Sequence, residues 1–322
     1  MPLTEFELIR RFFTCPARHA VLGVGDDAAI VRARPGFDLV ITTDMLVAGR
    51  HFHQGADPER LGHKALAVNL SDIAAMGATP RWATLALALP LADARWLTAF
   101  SRGFMRLARR YGVDLVGGDT TRGPLNICVQ VVGEVPRGRA LRRDGARAGD
   151  DVWVSGTLGD AALTLAAGRL GLASRDRRAL RLKLDAPAPR VGLGIALRGI
   201  ARSAIDVSDG LIADLGHICE RSSVAAAVDF ARIPASATLR RYLHRPAAQR
   251  ALLAGGDDYE LIFTAGPATR DAIARASRRL GLRLTRIGRM TRRGRGAPRV
   301  TVLDAAGRPI TATRGGYEHF RI

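Results

Sequence analysis

Residues 23–30, GVGDDAAI, set two adjacent carboxylates in a frame of glycine and small apolar residues, and the same feature recurs along the chain. Asp44 closes ITTD, Asp72 sits in NLSDIAAMG, and Asp119 follows two glycines in VGGDTT. Asp206 and Asp209 lie in AIDVSDG; Asp257, Asp258 and Glu260 lie in GGDDYEL. Carboxylates do not belong together in apolar surroundings unless a cation neutralises them. Several of these acids end an apolar run or follow a glycine pair, where the loops of α/β folds collect ligands. Ordinary readings exist for some: Asp27 as a turn residue, Asp44 as a strand-end cap, Asp209 as an early helical acid favoured by the dipole. Asp72 resists such a reading. Counted from Pro58 it falls late in an apolar helix, where propensity and dipole both oppose an aspartate.

Taken together, these acids, with Thr42, Thr43 and backbone carbonyls, suit Mg²⁺, which takes carboxylates, water and phosphate oxygens in an octahedral array. A divalent ion also removes the repulsion, because it is the largest local charge. Phosphate is then the expected co-ligand, and a nucleotide its expected source. The common nucleotide motifs are missing: there is no G-x-x-x-x-G-K-[ST], no G-x-G-x-x-G after a strand, and no kinase H-R-D or D-F-G set. The pattern predicts an ATP site of another design, built from several Mg²⁺ ions, glycine N–H groups and a helix N-terminus.

Strand and helix signals alternate along the first half. Thr4 is placed to cap a short amphipathic helix, and 38–44 is a β-branched run. Asp57-Pro58 opens a helix that stops at Gly77, and Asp93 opens a longer one ending at Gly112. Residues 136–151, rich in Gly, Arg and Pro and without apolar period, mark the domain boundary. Beyond it the alternation resumes, with a strand at 151–156, helices at 159–170, 190–201 and 209–221, a strand at 259–265 and a helix at 268–280. The expected fold class is α/β (α+β) in two domains, 1–137 and 138–322.

Of 49 basic residues only Lys64 and Lys183 are lysine, so the net charge of +19 reads as a compositional bias toward arginine rather than a selected binding surface. Aromatics make up only 5% of the chain, too few for the stacking platforms of nucleic-acid binders. Nucleic-acid binding is the non-enzyme alternative, with strongly salt-dependent affinity as its signature. No apolar run reaches the ~20 residues of a membrane span, and the first residues lack the layout of a secretory signal. A soluble, cytoplasmic protein is the expectation. Cys15, Cys128 and Cys219 are isolated, as free thiols are.

The blocks GVGDDAA, TTDMLVAGRHF, ALAVNLSDIAAMGATP, VGGDTTRGPL, GRALRRDGARAGD, VSGTLGDAA, AIDVSDGLIADLGHI, GGDDYEL and GGYEHF occur in order from residue 23 to 320. In this order they resemble the thiamine-monophosphate kinases, a family of the aminoimidazole-ribonucleotide-synthetase-like superfamily. The resemblance implies direct transfer of the γ-phosphoryl group of ATP to thiamine monophosphate with several Mg²⁺ ions. It implies a homodimer whose N-terminal domains form a β-barrel, and an active site in the cleft between domains. Residue by residue, it implies Mg²⁺ ligands at Asp27, Thr42, Thr43, Asp44, Asp72, Asp119, Asp206 and Asp209. It implies ATP contacts at Gly118, Asp119, Arg143 and Ser208, and thiamine contacts at His51, Asp257 and Tyr317. Neither nucleic acid nor membrane is an implied partner.

One position departs from the family pattern: GGEDYEL is here GGDDYEL, so Asp257 is one methylene shorter than the family glutamate. Cys15 precedes PARHA rather than a glycine-rich loop, unlike the reactive residue of the related selenophosphate synthetases. The chemistry needs no covalent nucleophile and no strong general base, because a phosphate monoester is already an anion. His51 and His53, two apart, would share a face if the segment were a strand. Two histidines without a third ligand are weak grounds for a transition-metal site. Tyr317 could serve as C-terminal packing, and Arg143 as a solvated linker charge.

Overall fold

The computed structural model describes residues 4–166 and 171–310, which divide into two compact units, the first up to Gly138 without Ala74–Gly77 and the second made of Ala74–Gly77 and the chain from Arg139 onward. The first unit is a four-stranded sheet with two long helices. In chain order it contains β1 (Phe37–Val47), α1 (Pro58–Ala75), β2 (Thr79–Leu89), α2 (Ala94–Tyr111), β3 (Asp114–Arg122) and β4 (Asn126–Pro136). Strand order is β1-β4-β2-β3. β4 is antiparallel to both neighbours, with Val129 opposite Asp44 and Cys128 opposite Ala86. β3 runs parallel to β2, joined through α2 as a parallel crossover requires. β1 and β3 are thus the two open edges.

Local chemistry explains both helices. Asp57 accepts from the Arg60 N–H at 2.9 Å, ahead of a proline at the first helical position of α1. Asp93 accepts from the Arg95 N–H at 2.8 Å to start α2, and Gly112, at φ 65°, ends it. Thr4 and Glu7 form a reciprocal capping box at the first turn, Glu5–Leu8. Phe100, Phe104, Leu97, Leu66, Leu70, Ile73, Leu87 and Ile127 are the fully buried core. α1 and α2 cross backbone to backbone. A Cβ on Gly103 would lie 1.8 Å from the Glu59 carbonyl oxygen, and one on Gly62 would lie 2.0 Å from that of Phe100. This close crossing sets where the later turns of α1 meet the sheet.

Along β1 the side chains alternate as a strand dictates. Val40, Thr42, Asp44 and Leu46 are the more buried set; Leu39, Ile41, Thr43 and Met45 are exposed on the other face. Ile41 is 61% exposed and Met45 53%, an apolar strip on an uncovered sheet surface. A small hairpin, Ala20–Leu22 with Ile30–Val31, presents the 23–29 loop.

The second unit carries β5 (Asp151–Ser155), α3 (Asp160–Ala166), α4 (Ser174–Asp185), α5 (Val191–Leu197), β6 (Ser203–Asp206), α6 (Leu211–Arg221), β7 (Val224–Asp229), α7 (Pro246–Ala254), β8 (Leu261–Ala265), α8 (Arg270–Leu280), β9 (Leu284–Arg292), β10 (Val300–Leu303) and β11 (Pro309–Ile310). Its seven-stranded sheet has the order β11-β10-β7-β9-β5-β8-β6, antiparallel except for β10 beside β7. β6 and β8 are buried throughout, and the polar residues they carry are paired inside: the Ser203 and Thr264 hydroxyls lie 2.7 Å apart. Val152, Val154, Ile205, Ile262, Ile287, Leu215 and Ile218 form the core. α4 lies in a segment for which the sequence reading had offered no element, because its face toward the unit is short and its remaining positions are mostly charged. Among the described residues no helix is long and apolar enough to cross a membrane.

Gly103→Ala forces the two helices of the first unit apart. It should lower stability by about 2 kcal/mol, read as a lower urea midpoint with an unchanged slope; an unchanged midpoint would contradict the crossing.

Candidate active site

α1 reaches β1 through two side chains, Asn69 and Asp72. The Asp44 N–H, on the side of β1 away from β4, donates to Asn69 Oδ1 at 3.1 Å. The Asn69 amide in turn donates to the Ala65 carbonyl at 3.2 Å. One turn along α1, Asp72 accepts a short hydrogen bond from the Thr42 hydroxyl. Positions i and i+3 of a helix thus meet positions i and i+2 of a strand, and two carboxylates with one hydroxyl come together on rigid elements. Burial, with the Asp72 carboxylate adding to it, pushes the Asp44 carboxyl up to about 7. Thr43 is not brought to this group: its side chain lies on the opposite face, where Gln130 Nε2 donates to its hydroxyl at 3.4 Å.

A second acidic group lies at the other edge. Asp26, Asp27, Gly117, Gly118 and Asp119 line a cavity of about 870 Å³, with Ile9 and Phe13 forming an apolar wall. Gly118 has φ 152°, and a Cβ there would lie 1.9 Å from the Leu85 carbonyl oxygen, so only glycine lets the strand pass so close. Asp27 and Asp119 are both exposed. Asp26 Oδ1 accepts the Asp27 N–H at 2.9 Å, which gives Asp26 a local structural task.

The third group belongs to the second unit. Asp206 ends β6 and is buried, and Ser208 and Asp209 follow in the turn before α6. Asp214, which the sequence reading did not single out, holds this turn: its Oδ2 accepts the N–H groups of Gly210 at 2.9 Å and Asp209 at 3.1 Å. Burial, with the Asp209 carboxylate adding to it, raises the Asp214 carboxyl to about 7. The available signal was an acid in the first turn of a helix that starts with glycine, where side-chain caps reach back to orphan donors.

The GGDDYEL segment runs beside this turn. The Asp257 N–H donates to the Ser208 carbonyl at 2.9 Å, the Tyr259 N–H to that of Val207 at 2.8 Å, and the Val207 N–H to that of Glu260 at 2.8 Å. Asp257 and Tyr259 have φ of 67° and 51°, so β8 begins at Leu261 rather than at 259 as the apolar pattern predicted. Asp258 and Glu260 face inward. Asp258 accepts the Gly159 N–H at 2.7 Å, and Glu260 accepts from Ser155 Oγ and Arg190 Nε, both at 2.6 Å. Burial raises the Asp258 carboxyl well above the ordinary range.

His51 lies in the turn after β1, not in a strand, so the condition for sharing a face with His53 is not met. Its Nδ1 accepts the Val47 N–H at 3.0 Å, which puts the proton of the neutral ring on Nε2. Arg143 is exposed, and its carbonyl is anchored by Ser222 Oγ at 2.8 Å. Tyr317 lies outside the described residues. Among the described residues, no three His, Cys, Asp or Glu side chains stand close enough to hold one metal ion. The acids come instead as separate groups of hard oxygen donors; burial pushes up the Asp44 carboxyl beside Asp72 and the Asp214 carboxyl beside Asp209 alike.

Comparison with known proteins gives the family. Residues 25–135 match the family described as AIR synthase related protein, N-terminal domain, and 147–301 match its C-terminal domain. The thiamine-monophosphate kinase of Escherichia coli (strain K12) is 46% identical over 326 residues, covering 99% of both chains. That of Haemophilus influenzae is 40% identical, covering 100% of this chain and 99% of its own. The crystal structure of the enzyme from Stenotrophomonas maltophilia K279a superposes with a TM-score of 0.83 at 50% identity, covering 88% of this chain and 91% of that one. AaThiL complexed with AMPPCP and TMP superposes with a TM-score of 0.75 at 33% identity, covering 92% of each chain. Hydrogenase maturation protein HypE, at 24% identity, shares the fold alone. With identity of this order extending over both units, the chain belongs to the thiamine-monophosphate kinase family.

Proposed function

We propose that this protein transfers the γ-phosphoryl group of ATP to the phosphate of thiamine monophosphate, giving thiamine diphosphate and ADP. The observation that carries the reading is the Asp44–Asp72 pair with Thr42, a hard-oxygen donor set held on a strand and a helix in a family of ATP-using kinases. A phosphate oxygen of the acceptor attacks the γ-phosphorus as the bond to the β-phosphate oxygen breaks. No covalent enzyme intermediate and no general base is needed. What the chain supplies is position and charge balance between two polyanions.

The donor types suit Mg²⁺, with Asp27, Thr42, Asp44, Asp72, Asp119, Asp206 and Asp209 as its holders and Thr43 limited to its main chain. Bound there, Mg²⁺ neutralises charge on phosphoryl oxygens. Gly118, Asp119, Arg143 and Ser208 are assigned to ATP; His51, Asp257 and Tyr317 to the thiamine substrate.

The same reading includes a homodimer. The exposed Leu39, Ile41 and Met45 strip and the two open edges of the sheet support closure with a second copy into a barrel. The Asp44 and Asp119 groups lie on opposite edges, about 14 Å apart at the usual strand spacing. Pairing the β1 edge of one copy with the β3 edge of the other would unite them into one site.

Three experiments test this. Full-length protein with ATP, Mg²⁺ and thiamine monophosphate should form thiamine diphosphate, detected by ³¹P NMR, while Asp72→Asn should lose at least ~100-fold in rate with an unchanged circular dichroism spectrum. Full activity in that variant would refute the metal assignment.

Mg²⁺ binding without nucleotide, followed by calorimetry, should tighten as pH rises from 6 to 8. Asp44 keeps its proton up to about pH 7 and must release it to the ion. A pH-independent affinity would count against Asp44.

Finally, Asp44→Asn and Asp119→Asn homodimers should each be inactive. Their equal mixture after subunit exchange should recover about one quarter of parental activity, because half the dimers are mixed and each has one intact site. No recovery would rule out the shared site.

A further inference from the structure

The 257–260 segment has two faces. The left-handed conformation at Asp257 and Tyr259 sends these half-buried side chains to one side and the buried Asp258 and Glu260 to the other. The inward pair is the anchor. Asp258 is tied to the Gly159 N–H; Glu260 is held by Ser155 and Arg190, with Lys183 Nζ at 3.6 Å. The main chain is stitched to Val207 and Ser208, leaving the backbone of Tyr259 little freedom. On the outward face the Tyr259 hydroxyl lies 3.0 Å from Asp257 Oδ1.

We propose that Tyr259 is a positioning residue for Asp257: its hydroxyl donates to one carboxylate oxygen and fixes the rotamer that aims the other at the cationic part of thiamine monophosphate. This rests on the assignment of Asp257 to the thiamine substrate. The need follows from the aspartate here, which has a shorter reach than a glutamate, and a shorter arm tolerates less error in direction. A charge-assisted hydrogen bond from a residue whose main chain is itself anchored removes rotational freedom that substrate binding would otherwise have to freeze.

The test is a double-mutant cycle in steady-state kinetics with the full chain. Tyr259→Phe should raise KM for thiamine monophosphate about tenfold, with KM for ATP within about twofold of the parent. In an Asp257→Ala background the same substitution should add less than about twofold, since the proposed route of action is gone. Thermal melting of Tyr259→Phe with the parent would show that the loss is not one of folding. An unchanged KM in Tyr259→Phe, or an equal loss in both backgrounds, overturns the proposal. An inactive parent, or an Asp257→Ala chain with parental KM, overturns the substrate assignment itself and the proposal with it.

Discussion

Two carboxylates pressed together at the junction of a helix and a strand edge are the constraint on which the rest of the first unit turns. Left in water, Asp44 and Asp72 would separate. They stay together because Asn69 caps the Asp44 N–H, the Thr42 hydroxyl holds Asp72, and α1 cannot withdraw from its crossing with α2 at Gly62 and Gly103. The repulsion is held by packing far from the charges themselves. Burial, with Asp72 adding to it, pushes the Asp44 carboxyl up to about 7.

The second unit solves a related problem by a different means. Its turn at 207–210 is held from two sides, by Asp214 from the helix that follows and by the 257–260 segment alongside. Asp206 and Asp209 are therefore attached to the same hydrogen-bonded patch as Asp257. If Asp206 and Asp209 hold metal and Asp257 holds substrate as proposed, the two sets cannot drift independently in this unit, which is the condition for holding reacting phosphates in line.

The sequence made much of this legible. Capping residues at Asp57, Asp93 and Gly112 delimit their helices where the structure does, since caps are local chemistry. The acids in apolar frames were visible because burying a carboxylate needs a reason. What escaped was set by tertiary contact. Thr43 matched the family pattern, yet strand alternation turns its side chain to the opposite face from Thr42. The start of β8 was hidden because nothing in the apolar run 259–265 announces left-handed backbone at Tyr259. Asp214 looked like an ordinary helical acid until its backbone partners were seen. The separation of Asp44 from Asp119 depends on strand order, which no local signal carries.

The two-sided segment at 257–260 also bears on how such an enzyme evolves. Its inward residues answer to the fold and, if Asp257 meets the substrate as proposed, its outward residues answer to the ligand, in strict alternation along four positions. Outward substitution would then alter selectivity at little cost in stability, whereas inward substitution takes the acceptor from partners such as the Gly159 N–H and Arg190. On that reading the aspartate at 257 falls on the permissive side, where a substrate pocket can be retuned one residue at a time while the scaffold beneath stays fixed.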